Sequence, residues 1–243
     1  LLSTASRANN ISVSNITTAG QNIPAKKHFV QFDVAWENSW RTAANYDAAW
    51  LIVKYRHPAT TGSWAHASLS NLDQTHTAPA GATIVAVEDG TGVFLQRSAN
   101  GTGHVNFTGV KLQWNYSGVT NQTDAAVDVQ VHAIEMVYIP QGEFAAGSGG
   151  SEVNAFELTT INTADATVEP SGSGSLGGQA GGYPTGQEAP NNASWPNGFD
   201  AFYCMKYEIS QSQYAAFLNT LSEEAADLHR SGGGRYTIGG SYP

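Results

Sequence analysis

A chain of 243 residues can build one large domain or two small ones. Only 13 % of it is charged, against about 25 % in an ordinary soluble domain, and Gly, Ser, Thr and Asn make up the difference. The formal charge of −9 and the lack of any basic cluster beyond Lys26-Lys27 exclude nucleic acid as a partner, and the longest apolar run, Ala48 to Val53, is far short of the ~20 residues of a membrane-spanning helix.

The chain opens "LLSTASRANNISVSN". Ser6 and Ala8 suit the small-residue positions of a signal cleavage site, with Leu1-Leu2 as the stub of an apolar segment, so residues 1–8 are expected to be a signal remnant or an N-terminal arm. From residue 9 to 134 the pattern is one of short strands. "HFVQFDVAW" alternates, with Val30, Phe32, Val34 and Trp36 on one face and Gln31, Asp33 and Glu37 on the other. "AAWLIVKYR" is a continuous apolar run, as in a central strand covered on both faces. Further strands are expected at Ile11–Thr17, Ser63–Leu69, Ala82–Glu88, Gly92–Gln96, Val110–Tyr116 and Ala126–Ile134, separated by turn-forming stretches such as "EDGTG" and "SANGTG". Seven or eight strands at this spacing predict an antiparallel β-sandwich. Trp36 and Trp50 then belong to its core, Trp64 and Trp114 lie in strands, and Trp40 falls in a polar loop.

From Glu135 the texture changes. "EMVYIPQGEF" is a strand ended by Pro140 and Gly142, and a Gly/Ser-rich insertion occupies about 145–198, with a short strand in "AFELTTI". "FDAFYCMKYEIS" alternates as a strand and carries the single cysteine, Cys204, which excludes an intrachain disulfide and is expected to be a small buried hydrophobe. "SQSQYAAFLNTL" is the best helix: Ser210 and Gln213 form a capping box, and Tyr214, Phe217, Leu218 and Leu221 form its apolar stripe. A second helix is expected from Ser222, ended by "SGGGR".

Few chemical constellations stand out. The histidines, His28, His57, His66, His76, His104, His132 and His229, have no metal-ligand spacing and read as ordinary surface or edge residues. Asp33, Glu37 and Asp47 lie near one another in sequence, as paired acids of a glycoside hydrolase would, but Asp33 and Glu37 share the polar face of a strand and read as solvated. Asn-X-Ser/Thr occurs at Asn10, Asn15, Asn100, Asn106, Asn115, Asn121 and Asn192, seven sites against about three expected from the composition, marking candidate N-glycosylation positions or a hydroxyl-rich turn surface.

Two blocks resemble the opening of the formylglycine-generating enzyme / sulfatase-modifying factor domain. In "EMVYIPQGEFAAGS" the matching positions are Met136, Val137, Ile139, Pro140, Gly142, Phe144 and Gly147. In "FDAFYCMKYEISQSQYAAFLNTL" they are Phe202, Tyr203, Tyr207, Glu208, Ile209, Ser210, Gln213, Tyr214, Phe217 and Leu218. The preceding β region looks like the accessory domain of secreted bacterial proteins with this module. The resemblance implies a fold related to C-type lectins. It also implies that the copper-binding cysteine pair and most calcium ligands of the enzymatic members belong to later parts of the domain, which have no counterpart in this sequence. Cys204 does not match that pair.

The fold class expected is therefore mainly β: a sandwich at 9–134, then an incomplete α+β sulfatase-modifying-factor-like module at 135–243 with one or two helices. The function expected is that of an extracellular, non-catalytic structural or adhesive surface protein. It would need no cofactor and would assemble with copies of itself, or with other surface proteins or glycans, through strand edges or the Gly-rich insertion. The alternative is the N-terminal part of a formylglycine-generating-type enzyme or of a C-type-lectin-like binder.

Overall fold

A computed structural model describes residues 10–57, 63–117, 127–146, 158–162 and 199–228. The expected N-terminal arm 1–8, Asn121, Asn192, Gly147 and most of the 145–198 insertion lie outside the described residues. The protein is mainly β, with two helices among the described residues. In chain order the strands are β1 (Ser12–Asn22), β2 (Lys27–Arg41), β3 (Tyr46–Arg56), β4 (Trp64–His66), β5 (Ala82–Ala86), β6 (Val93–Arg97), β7 (Gly101–Asn115), β8 (Asp128–Ile139), β9 (Phe144–Ala146), β10 (Thr159–Ile161) and β11 (Phe202–Met205). Helices α1 (Gln211–Leu218) and α2 (Glu223–Leu228) follow, and a single 3-10 turn occupies Asp73–Thr75.

Hydrogen bonding links nine strands into one branched sheet. β2 lies between β1 and β7; β3 has β6 and then β5 to one side, and also pairs with β4 and β8, while β11 pairs with β8. The β2 and β3 arms meet only at Arg41 and Tyr46, where Thr42 closes a tight turn by accepting from the backbone of Ala44 and Asn45. Both arms contribute to a single apolar core, as in a sandwich. Val30, Phe32, Val34 and Trp36 of β2 meet Ala49, Leu51 and Val53 of β3, with Val93, Leu95, Phe107, Leu112, Trp114, Val131 and Ala133 around them. Each Val, Leu or Phe side chain among these contributes about 1.5–3 kcal/mol when taken fully out of water.

The alternation read in β2 is the one observed, and Trp36 is buried against Phe107 with ring centroids 5.6 Å apart. β3 differs from expectation. Its inward positions are Asp47, Ala49, Leu51 and Val53, while Trp50 and Ile52 are only half-buried on the other face. Trp50 is therefore not a core residue; it packs on Phe94 at 4.6 Å over the space left by Gly92, where a Cβ would stand 2.6 Å from the indole. β7 begins at Gly101, well before the expected Val110, and pairs with the whole length of β2.

Bulges set the register. β1 breaks step between Ser14 and Thr17, where Asn15 has φ 53°, and β7 breaks step where Gly109 has φ 72°. Asp33 on β2 spans the two: one carboxylate oxygen accepts from Asn15 Nδ2 and the other from Gly109 N, each at 2.7 Å. These two hydrogen bonds, Asn15 first, hold the Asp33 carboxyl below its ordinary range.

The strand expected to end at Ile134 and the one expected to begin at Glu135 are one continuous strand, β8. The described residues form two compact units: those up to Val137 together with those from Cys204 onward, and Tyr138–Tyr203. The expected boundary at 134/135 thus falls inside β8, and the helical segment groups with the strands of the larger unit. In the smaller unit β9 and β10 form an antiparallel pair, Gly142 N donates to Phe199 O at 3.3 Å, and Tyr138 packs on Tyr203.

Candidate functional site

Three ionisable side chains converge in the first unit, and strand parity puts each of them there. On β3 the inward period of two that selects Ala49, Leu51 and Val53 also selects Asp47, which is fully buried. On β8 the same period takes Val131 and Ala133 to Glu135, 2 % exposed. Lys206 follows β11 directly; its backbone N–H donates to Glu135 O at 2.8 Å, which places its side chain beside both acids. Lys206 Nζ lies 2.8 Å from Asp47 Oδ2 and 3.3 Å from Glu135 Oε2. It also donates to Asn38 O at 2.8 Å.

The surrounding donors come from a bulge. β2 loses step with β7 between Trp36 and Ser39, and Asn38 takes φ 54°. The extra residue reverses parity, so that Trp36 and Ser39 are both buried. As a result Trp36 Nε1 donates to Asp47 Oδ2 at 3.0 Å, while Ser39 Oγ and Trp40 N donate to Oδ1 at 2.9 and 3.0 Å. Arg97 Nε donates in turn to Ser39 Oγ at 3.0 Å, which leaves the hydroxyl proton directed at Asp47. Neither oxygen of Glu135 completes a well-aligned hydrogen bond, although Oε2 is in ionic contact with Lys206.

Electrostatics follow from burial. Burial pushes the Glu135 carboxyl above its ordinary value, with the charge of Asp47 adding; Lys206 and the Ile11 backbone pull the other way and do not prevail. For Lys206, burial by itself would depress the ammonium, but the hydrogen bond and charge of Asp47, followed by the charge of Glu135, raise it above its ordinary value. The cluster is therefore a cation held by a many-donor carboxylate, next to a second carboxyl whose affinity for a proton is raised by burial.

The sequence reading brought Asp33, Glu37 and Asp47 together; the structure separates them, with Asp33 at the bulges, Glu37 in solvent and Asp47 in the core. Glu135 and Lys206 were missed. Their signal was present: an acid on the apolar parity of "VHAIE" and a lysine directly after a strand. Cys204 is exposed rather than buried. Among the sequons, Asn15, Asn100 and Asn106 are exposed and Asn10 and Asn115 half-buried; the side chains of Asn10, Asn15 and Asn115 are engaged with Glu37 N, Asp33 and Gln113. His28 is fully buried and His76 nearly so, which corrects their reading as surface residues. Among the described residues, no group of three or more His, Cys, Asp or Glu is placed to hold a metal ion, and no helix is long and apolar enough to cross a membrane.

A second feature is an apolar groove of about 430 Å³ between the sheet and α1, lined by Val13, Ile52, Val131, Ala133 and Phe217 among others. No protein-family model, curated protein or solved structure matches this chain.

Proposed function

We propose that the chain is an extracellular, non-catalytic structural or adhesive surface protein that associates with copies of itself or with other surface proteins and glycans. The observation carrying this reading is that the tight cluster of ionisable side chains, Lys206, Asp47 and Glu135, is withdrawn from solvent and committed to fastening three segments of one unit. A site that meets a substrate keeps such groups at the wall of a cleft. Low charge and exposed sequons at Asn15, Asn100 and Asn106 agree with a surface location. The test is light scattering on the purified protein at rising concentration, together with a glycan-binding screen. Oligomers or glycan binding are expected; a protein that stays monomeric and binds no glycan would overturn the proposal.

A second reading has one observation in its favour. β11, the capped start of α1 and the helix itself follow the order of the sulfatase-modifying-factor resemblance. On that reading the chain is part of a longer enzyme or lectin-like binder. Its test is the natural transcript: a continuation with two late cysteines supports formylglycine chemistry, and a variable, aromatic-rich continuation supports ligand display.

A further inference from the structure

A buried salt bridge usually has its remaining lone pairs met by hydrogen bonds, because desolvation otherwise outweighs the Coulombic gain. In this cluster each Asp47 oxygen accepts from two donors, but of different kinds. Oδ1 accepts from two fixed uncharged donors, Ser39 Oγ and Trp40 N, whereas Oδ2 accepts from the amine of Lys206 and from Trp36 Nε1. Glu135 stands next to the same amine without a well-aligned donor of its own. That arrangement is what an acyl-transfer site presents: fixed donors on the oxygen that becomes an oxyanion, a nucleophile beside the oxygen that leaves, and an acid in contact with the nucleophile.

The geometry points to a covalent cross-link: an intramolecular isopeptide amide between Lys206 Nζ and Asp47 Cγ, formed within the folded protein with Glu135 carrying protons. The reaction starts with transfer of a proton from the ammonium to Oδ2 across the 2.8 Å contact, which replaces two buried charges by a neutral amine and a neutral acid. The nitrogen lone pair then attacks Cγ, and the π electrons move onto Oδ1, where Ser39 Oγ and Trp40 N stabilise them. Glu135 takes a proton from the nitrogen and returns one to the Oδ2 hydroxyl, which departs as water. One C–N bond forms, one C–O bond breaks, Glu135 ends as it began, and no electrons are gained or lost. Fixed proximity replaces the activation that an amine and a carboxylate need in water, and effective molarities of about 10⁵–10⁸ M are within reach of well-oriented intramolecular pairs. Burial of the product amide and exclusion of water oppose hydrolysis. The raised affinity of Glu135 for its proton suits the carrier role. The inference is independent of where the protein resides, so it stands or falls separately from the surface role.

The decisive measurement is the intact mass of the folded full-length chain, followed by tryptic mapping. The expected mass is 18 Da, one water, below the sequence mass of 25.7 kDa. Trypsin should then fail to cut after Lys206, and peptide Thr42–Lys54 should appear joined to the peptide that contains Lys206. Lys206→Arg should restore the full mass, and Glu135→Gln, which keeps the side-chain shape, should slow condensation about 100-fold or more. A folded wild-type protein at full mass overturns the inference without recourse to any variant. So does an 18 Da deficit that persists in Lys206→Arg or maps to Asp89-Gly90, where succinimide formation causes the same loss.

Discussion

Asp47 is the residue on which the buried polar network of this protein converges. Four donors reach its two oxygens, and the hydrophobic periodicity that defines β3 places it. Periodicity also made Trp36 legible in advance, since a tryptophan in step with Val30, Phe32 and Val34 has only one face to occupy. Trp50 was not legible in this way. A run of six apolar residues does not reveal which parity faces the core, and the outer face of β3 offers the indole a partial shelter on Phe94. Glycine positions carry a sharper message. Gly90 has φ 69°, and a Cβ there would stand 2.7 Å from Leu69 O, although Gly90 O must still accept from Leu69 N at 2.9 Å. Gly90→Ala combines left-handed strain with a backbone clash. It is expected to destabilise the fold by at least about 1–3 kcal/mol, read as a lower urea midpoint, whereas Gly103→Ala meets no neighbouring atom and should show strain alone.

Helix α1 shows what an element-level pattern can and cannot settle. The capping box was readable and is formed in full: Ser210 Oγ accepts from Gln213 N, and Gln213 Oε1 accepts from Ser210 N. Gln213 also donates to Ala133 O at 2.9 Å, which anchors the first turn of the helix to β8. Ser210→Ala should therefore cost about 1 kcal/mol. Gln213→Ala should cost more, because a tertiary hydrogen bond is lost with the cap; chemical denaturation of the two variants side by side checks the order. The apolar stripe was legible only in part: Leu218 is buried as expected, the two aromatic members are not. Ala215 and Leu218 are the buried residues, while Tyr214 and Phe217 remain more than a third exposed. Size misled the sequence reading here: the small Ala215 is buried with Leu218, whereas the rings of Tyr214 and Phe217 line the groove between helix and sheet. The change of composition at Glu135 does not mark the end of an element: β8 runs on unbroken to Ile139, although its buried/half-buried alternation stops at Glu135.

At the scale of the whole molecule, acid should weaken the fold through its buried histidines. Burial depresses His76, against smaller opposing effects of Ser70 and Asp73, and it depresses His132, with Lys54 contributing in the same direction. The ring of His76 bridges Ser70 O and Gln113 N; since Nδ1 accepts from Gln113, the neutral form with its proton on Nε2 is required. A histidine whose folded pKa lies below its unfolded value near 6.5 binds fewer protons folded than unfolded. Its stabilisation is complete above 6.5 and is lost as pH falls through the depressed value. Glu135 acts in the opposite sense, since its folded pKa is raised: its stabilisation is present at low pH and fades as pH rises. Urea midpoints between pH 7.5 and 5 should accordingly fall with acid in the wild type, fall less in His76→Gln, and fall more steeply in Glu135→Gln. An unchanged slope in His76→Gln would show that the imidazole does not govern the acid limb. The mainly β class was legible because alternation and turn residues recur along the chain. The charged cluster was not, because its three members are separated by 88 and 71 residues and only strand pairing reveals that they meet.

The bulge at Asn38 has a consequence for how this chain can change in length. Before it, even-numbered residues of β2 point inward; after it, Ser39 does. Inserting one further residue here would leave composition and hydropathy almost untouched, yet it would rotate Ser39 and Trp40 to the wrong sides and misalign the hairpin that delivers Asp47. Deleting Asn38 would keep Ser39 inward but remove the carbonyl that accepts from Lys206 Nζ. Descendants of this sequence should therefore accept insertions and deletions in the turn at Ser98–Asn100 far more readily than at Glu37-Asn38, even though both are short, polar and open to solvent. In this protein the intolerance of a surface position to indels would report on chemistry buried beneath it.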